Sequence, residues 1–533
     1  MDAVISGARK KVSVSITGSA VLASPYVIAA AVASVYLLTM TQDYFWDGIT
    51  FALQIEKVAR GERGNEMLFH QNHLLYNAFG YVAYRIARAA SSGIRALTVL
   101  GIANVCIGSA SIGVFYNIAN RVTRNRYAAI VCSTALAFSA TWWKLATDAD
   151  AYMLSVLLIL ICFNNLQSER SRWYLAGLSL SGAMLIHELA SLFSIAAIVA
   201  IFSNPTIQRK TRFAAAMCGL AWSIAIGAYY ICAAMLHGLT RPLDVIRWAT
   251  SNPSLIELSS NPIPGIILTP RSNLDIVVGH SFTLFRQQGG IGWVIAASVI
   301  ISAFAFFASF VRTVRPNALV NCLRRQAPEV ADSWEQNFPV VIVWVSVYLV
   351  FLCFFEPQDP NLRLFYAPAL ALGLGLIVSN YGFLAPRNLG FGSSKLSPSR
   401  TALLAVTTLA LFNFAFFIKP HMRMESNRMV TAASGASKVW NERTVVFYAN
   451  HNEADSTFEY FNEQTEWRRL IFAPESIRSQ IRDLHKEGKC VWLNTAAAGK
   501  LNGNLLAEYV RGREIRVDVD HAPAHYIEVL PRQ

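Results

Sequence analysis

Apolar runs separated by short polar segments set the pattern of this chain. Runs that read as membrane-crossing helices fall at 21–40, 97–119, 127–142, 152–166, 174–186, 189–202, 213–236, 291–311, 339–355, 364–380 and 401–418. The expectation is an α-helical polytopic membrane protein with about eleven transmembrane helices. One further run, 74–90, carries Tyr76, Tyr81, Tyr84, Arg85 and Arg88 and reads as an amphipathic segment lying in the membrane interface. If it crossed instead, the RVTRNR cluster (Arg121, Arg124, Arg126) and every later basic cluster would change sides.

After Pro420 the pattern changes. Short β-type runs at 445–448, 470–472, 491–493, 515–519 and 526–530 alternate with helical patterns at 453–462, 476–485 and 497–510. That alternation predicts a small α/β domain with some parallel pairing. The division expected is a transmembrane domain over 1–420 and a soluble extracytoplasmic domain over 421–533. Within the first, 41–96 forms an outer loop with interfacial segments, and 237–290, rich in Pro and Asn, a long outer loop. The C-terminal domain shows no Gly-rich phosphate loop and no nucleophile elbow, and is expected to carry no chemistry of its own.

Composition agrees with the membrane reading: of 533 residues, 54% are hydrophobic and only 15% charged. The formal charge of +13 is topological, because the basic residues cluster between apolar runs, and it gives no reason to expect a nucleic-acid partner. With Arg9, Lys10 and Lys11 inside, the N-terminus is cytoplasmic and the C-terminal domain outside, which places the protein in a bacterial inner membrane. LLTMTQDY, where the first run ends, does not read as a signal cleavage site. Seven of the eight cysteines lie in or beside apolar runs and Cys490 stands alone, so neither a disulfide framework nor a zinc spacing is present.

This topology collects ionisable groups on one side. The stretch TQDYFWDGITFALQIEKVARGERGNEMLFHQNHLLY carries Asp43 and Asp47 at one end and His70 and His73 at the other. A carboxylate this close to the membrane surface is partly desolvated, which raises its proton affinity toward that of a useful base. The same side receives TWWKLATDADAY (Trp142, Trp143, Lys144, Asp148, Asp150, Tyr152), His187 with Glu188, and EPQDPNLRLFY (Glu356, Arg363, Tyr366). Taken singly, Lys144 fits a snorkelling lysine and His187 a satisfied helix-end histidine; together they suggest a cavity open to the outer face.

A first helix running into an acidic outer loop, then amphipathic interfacial segments, resembles the GT-C superfamily of integral-membrane glycosyltransferases, which includes protein O-mannosyltransferases and lipid A aminoarabinose transferases. DGITFALQIEKVARGE is similar to the family's acidic loop, with Asp47 at the acidic position, and LFHQNHLLY to its following motif. ATWWKLATDADAYMLSVLLIL resembles the aromatic turn ahead of the next helix, and LIHELASLF a helix end with His. The chain departs from the common pattern in having Gly48 where many members have a second acid, so either Asp43 or Asp47 can be the base.

The resemblance implies inverting transfer of a sugar from a polyprenyl-phosphate donor to a lipid, glycan or protein acceptor. A hydroxyl acceptor needs a general base, for which Asp47 or Asp43 serves. Charge developing on the departing phosphate needs preorganised cations, with Arg363 first and Lys144 and His187 in reserve. His70, His73, Trp142, Trp143, Asp148, Asp150, Tyr152, Glu188, Glu356 and Tyr366 are candidates for contacting substrate. With such cations present, no metal and no cofactor is expected. The rival reading is a transporter or flippase, against which stands the lack of an internal repeat or of paired Gly/Pro-broken helices.

Overall fold

The apolar runs fold as helices in a computed structural model that describes residues 24–168, 170–250, 262–279, 328–384, 398–449, 452–470, 474–500, 509–517 and 524–532. Among these, Ala96–Thr123, Lys210–His237, Trp334–Phe354 and Ala402–His421 are long and apolar enough to cross a membrane. Arg126–Ala137 and Ala140–Ala146 make a further span if counted together across their 68° bend. Pro25–Leu38, Tyr152–Leu166, Trp173–Ile186, Glu188–Ser203 and Ala367–Ser379 are apolar but shorter. These reach ~20–24 Å against a hydrocarbon core of about 30 Å. A polytopic helical architecture is therefore supported, while the expected number of spans is not reached by helix length alone. The run at 291–311 lies outside the described residues.

The bend is built rather than loose. A break inside a membrane helix frees carbonyls that lipid cannot satisfy. Here Tyr36 Oη donates to Ala137 O at 2.7 Å, and Asn413 Nδ2 donates to Phe138 O at 2.8 Å and to Val277 O at 2.7 Å. Asn413, fully buried, thus ties the last spanning segment both to the break and to the end of helix Pro262–Val278. That helix is a departure from the sequence reading, in which 237–290 was a loop. Its two initial prolines, Pro262 and Pro264, and internal Pro270 resemble loop chemistry, yet it packs against Ala140–Ala146 and Pro328–Phe354.

The first polar segment forms helix Trp46–Ala59, a 3₁₀ turn Asn65–Leu68 and helix Tyr76–Ala90. The last is amphipathic as read: Tyr76, Asn77, Gly80 and Tyr84 face inward, while Val82 and Ile86 are 57% and 69% exposed. Gly80 lies where a Cβ would come within 2.7 Å of the tips of Ile55 and Leu100, so a larger residue would make both side chains shift.

The C-terminal part holds a five-stranded sheet in the order β2-β1-β3-β5-β4: β1 Thr444–Tyr448, β2 Glu466–Arg469, β3 Cys490–Asn494, β4 Tyr509–Val517 and β5 Ala524–Pro531. β1 pairs in parallel with β2 and β3, and β5 runs antiparallel to β3 and β4. The strand expected at 470–472 is replaced by the polar edge strand EWRR, anchored by Trp467 against Trp440 and Tyr526. Residues 471–472 and 501–508 of the expected elements lie outside the described residues.

Helix Glu453–Phe461 clasps this domain to helix Trp46–Ala59. Lys57 Nζ meets Glu459 Oε1 at 2.5 Å, and Tyr460 Oη donates to Glu56 Oε1 at 3.3 Å. Arg95 bonds Glu56 Oε1 at 3.0 Å and Tyr460 O at 2.9 Å, with its guanidinium 4.1 Å from the centre of the Tyr460 ring. Arg95 is partly exposed, so Arg95→Ala should weaken the clasp by about 1–3 kcal/mol, below the figure for a fully buried pair. Hydrogen exchange across Glu453–Phe461 should accelerate in that variant. Unchanged protection there would show that Arg95 does not hold the domain.

Candidate active site

At the meeting point of the first polar segment, the 140–148 segment, the 356–361 turn and the C-terminal domain lies a cavity of about 610 Å³. Its wall includes Asp43, Lys144, Asp148, Glu356, Asp359 and Glu453. The volume falls within the range of about 300–1,000 Å³ usual for ligand sites.

Asp148 organises the near wall. Its buried carboxylate accepts from Phe45 N at 3.0 Å, Ala149 N at 2.7 Å and Lys144 Nζ at 2.5 Å. Asn104 Nδ2 holds the same turn by donating to Asp148 O at 2.8 Å and Asp150 O at 2.7 Å. Lys144 Nζ also reaches Asp43 O at 2.6 Å, so one ammonium joins the two acidic segments. Asp43 Oδ2 sits 3.2 Å from His421 Nε2, at the end of the last spanning segment.

Asp47, half-buried in the first turn of its helix, stands at the acidic side. Burial, and the negative charges of Glu453, Asp359 and Glu356, push its carboxyl up to about 8. Burial likewise lifts Asp359 to about 7, against the Asn361 N–H that donates to Asp359 Oδ1 at 2.8 Å. Asp150 is buried with Oδ2 unpartnered, and burial together with Asp47 and Asp148 raises it well above the carboxylate range. Gly48 explains how Asp47 comes so near: a Cβ there would lie 2.0 Å from Ala149 O. At position 48 this backbone therefore admits no side chain.

The turn carrying Glu356 and Asp359 is held from behind. Glu356 adopts φ 44°, the left-handed region that non-glycine residues seldom enter. Arg363, fully buried, donates Nη2 to Pro357 O at 2.6 Å and Nη1 to Tyr366 Oη at 3.0 Å, with Thr269 Oγ1 at 3.4 Å. Tyr366 donates in turn to Asn273 Oδ1. The Nε of Arg363 has no partner, and among the described residues no carboxylate lies at ion-pair distance from its guanidinium.

The sequence candidates thus separate into groups. Asp43, Lys144, Asp148 and Glu356 line the cavity, with Asp47 and Asp150 beside it. Arg363 and Tyr366 stand behind the 356–361 turn rather than in the cavity wall. His73, His187 and Tyr152 form a separate aromatic cluster with Phe365: His187 is 4.7 Å from His73, 4.9 Å from Tyr152 and 5.0 Å from Phe365, centre to centre. Burial and His70 lower His73 to about 3, which makes it a neutral hydrogen-bonding ring. His187 Nδ1 accepts from Leu189 N at 3.2 Å, so the neutral ring carries its proton on Nε2. His70 is exposed and Glu188 half-buried, and neither lines the cavity. Trp142 and Trp143 belong to the core, Trp143 Nε1 donating to Thr39 Oγ1 at 2.9 Å.

The wall also holds polar residues outside the sequence candidates, among them Asp359, His421, Asn427 and Glu453. Asp359 sits inside the quoted EPQDPNLR segment, between two residues that were singled out. Glu453 comes from the domain expected to carry no chemistry. Its place is set by a capping box, Asp455 N to Asn452 Oδ1 at 2.9 Å and Asn452 N to Asp455 Oδ2 at 3.2 Å, with Tyr526 Oη donating to Asp455 at 2.7 Å. Among the described residues, no group of three or more His, Cys, Asp or Glu is arranged to hold a metal ion.

This arrangement of helices, first-loop elements and C-terminal domain is a GT-C fold. No family model matches the chain, and no curated protein does. Solved structures do: the chain is similar to the crystal structure of ArnT from Cupriavidus metallidurans bound to undecaprenyl phosphate, with TM-score 0.59 and 13% identity over 96% of this chain and 98% of that one. The apo state of that protein matches with TM-score 0.58 and 12% identity, over 94% of this chain and 97% of the other.

Proposed function

We propose that this chain is a membrane glycosyltransferase that moves a sugar from a polyprenyl-phosphate donor to an acceptor at the outer face of a bacterial inner membrane, with inversion. The observation that carries the reading is the likeness, over nearly the whole chain, to a structure holding undecaprenyl phosphate. An acid-lined cavity between the helices and the C-terminal domain supports it.

In this reading the acceptor hydroxyl attacks the anomeric carbon while a carboxylate takes its proton, and the bond to the phosphate oxygen breaks with that electron pair leaving on polyprenyl phosphate. Asp47 is the preferred base: its lifted proton affinity lies nearer that of a useful base than an ordinary carboxylate's does. Asp43, tied to His421, is the alternative. The leaving phosphate meets Lys144 at the cavity wall, with the charge of Arg363 behind the 356–361 turn acting only at a distance. Glu356, Asp359 and Glu453 are placed to bind sugar or acceptor hydroxyls.

The test is transfer of label from extracted polyprenyl-phosphate sugars by the purified full chain. Donor-dependent labelling of an acceptor supports the reading; movement of the lipid-linked sugar across vesicles without transfer replaces it with the transporter. A second expected outcome concerns metal. Transfer should persist in a strong chelator, because cationic side chains supply the charge at the leaving phosphate. Loss of transfer that added divalent ion restores would overturn that part.

A further inference from the structure

At the far end of the bundle the structure holds a second cavity, of about 810 Å³. Helix Ala96–Thr123 runs between the two ends. Ala96 N donates to Glu56 beside the C-terminal clasp, and 28 residues later the helix ends at Arg124 in the second wall. A helix of that length places the ends ~40 Å apart. The second cavity therefore belongs to the opposite membrane face.

The two cavities differ in chemistry. The first is walled by carboxylates; the second shows none among its described lining residues, and carries Arg121 and Arg124 with the amides of Gln167, Asn204, Gln336 and Asn337. Three helices end here with outward carbonyls, which would disfavour an anion, but several of those carbonyls are already bonded. Arg121 Nη1 donates to Asn164 O at 3.1 Å, Asn204 Nδ2 to Leu166 O at 2.8 Å and Lys210 Nζ to Phe202 O at 2.6 Å. Arg124 adopts φ 49°, a helix-ending conformation that glycine enters more readily. With Arg121 it sets two positive charges on the wall of a polar cavity at membrane level, which suits a ligand with negative charge.

We propose that this cavity binds a phosphate-bearing headgroup, with Arg121 and Arg124 on the phosphate and the amides on its polar substituents, and that the source is an anionic phospholipid of the leaflet opposite the transfer cavity. Basic pockets between transmembrane helices recognise anionic headgroups by this combination of charge and hydrogen bonding. The inference needs the membrane placement of the helices and is independent of transfer activity.

Native mass spectrometry of the purified full chain with phosphatidylglycerol or phosphatidylcholine tests it. The wild type should retain phosphatidylglycerol in preference to phosphatidylcholine. Arg121→Gln should weaken retention about fivefold, and the double variant with Arg124→Gln about thirtyfold. Arg124→Gly removes the charge while suiting the left-handed backbone, so it should weaken retention as Arg124→Gln does, with the fold checked by thermal melting. Asp47→Asn, at the other end, should leave retention unchanged. If inorganic phosphate displaces the lipid with the same arginine dependence, the site stands and its source is a soluble phosphate. Equal retention of both lipids, or retention indifferent to both arginines, overturns the proposal.

Discussion

Asp47→Asn should reduce transfer by about 10²–10⁴-fold, the usual contribution of a general base, while making the folded protein more resistant to heat at alkaline pH. Both effects follow from one carboxyl. Half-buried near the negative charges of Glu453, Asp359 and Glu356, Asp47 holds its proton up to about pH 8, against 3.8 for an ordinary aspartate. Only the deprotonated form accepts the proton of an acceptor, so kcat/KM of the wild type should rise with pH and level off above about 8. Neighbouring Asp359, lifted to about 7, titrates with it, so the profile belongs to the cluster rather than to one residue.

The stability sign is opposite. Between about 4 and 8 the unfolded chain releases this proton and the folded chain keeps it, so stability falls as pH rises through that window. Asparagine does not titrate. The gap in Tm between variant and wild type should therefore open from about pH 4, widen to about 8 and stay level beyond. A variant that loses transfer and also loses Tm at every pH would make Asp47 structural. Unchanged transfer would pass the role of base to Asp43.

Lys144→Met should cost about 3–5 kcal/mol of stability, the range for breaking a buried ion pair from one side. The Asp148 side chain has no solvent exposure and that of Lys144 only 14%, so removing the ammonium strands a buried charge. It also removes the bond to Asp43 O, which joins the first polar segment to the 140–148 wall. Adding Asp148→Asn removes the stranded charge and keeps an acceptor for Phe45 N, so the double variant should regain much of the lost Tm. Transfer should stay low in it, because no cation then faces the leaving phosphate from that wall. A single variant as heat-stable as the wild type would show that the pair holds nothing together.

How much of this was legible depends on range. Spanning helices announce themselves in runs of apolar residues, because lipid imposes the pattern locally, and the fold class followed. The Lys144–Asp148 pair was also within reach, being four residues apart on one helical turn. Trp142 and Trp143, beside Lys144, are sequence candidates for contacting substrate. The bend after Ala137 turns them into the core instead, and no local signal marks that. His421 and Glu453 were missed for a related reason: each reaches the cavity through tertiary contacts with segments made hundreds of residues earlier. The edge strand Glu466–Arg469 shows the same override, since packing against Trp440 and Tyr526 outweighed the polar composition of EWRR.

Because the clasp from Glu453–Phe461 closes the cavity, the order of synthesis matters. Asp43 and Asp47 emerge early, yet the wall opposite them is completed only by residues near the end of the chain. A half-made chain thus lacks the part of the cavity wall that Asn427, Glu453 and Thr457 supply.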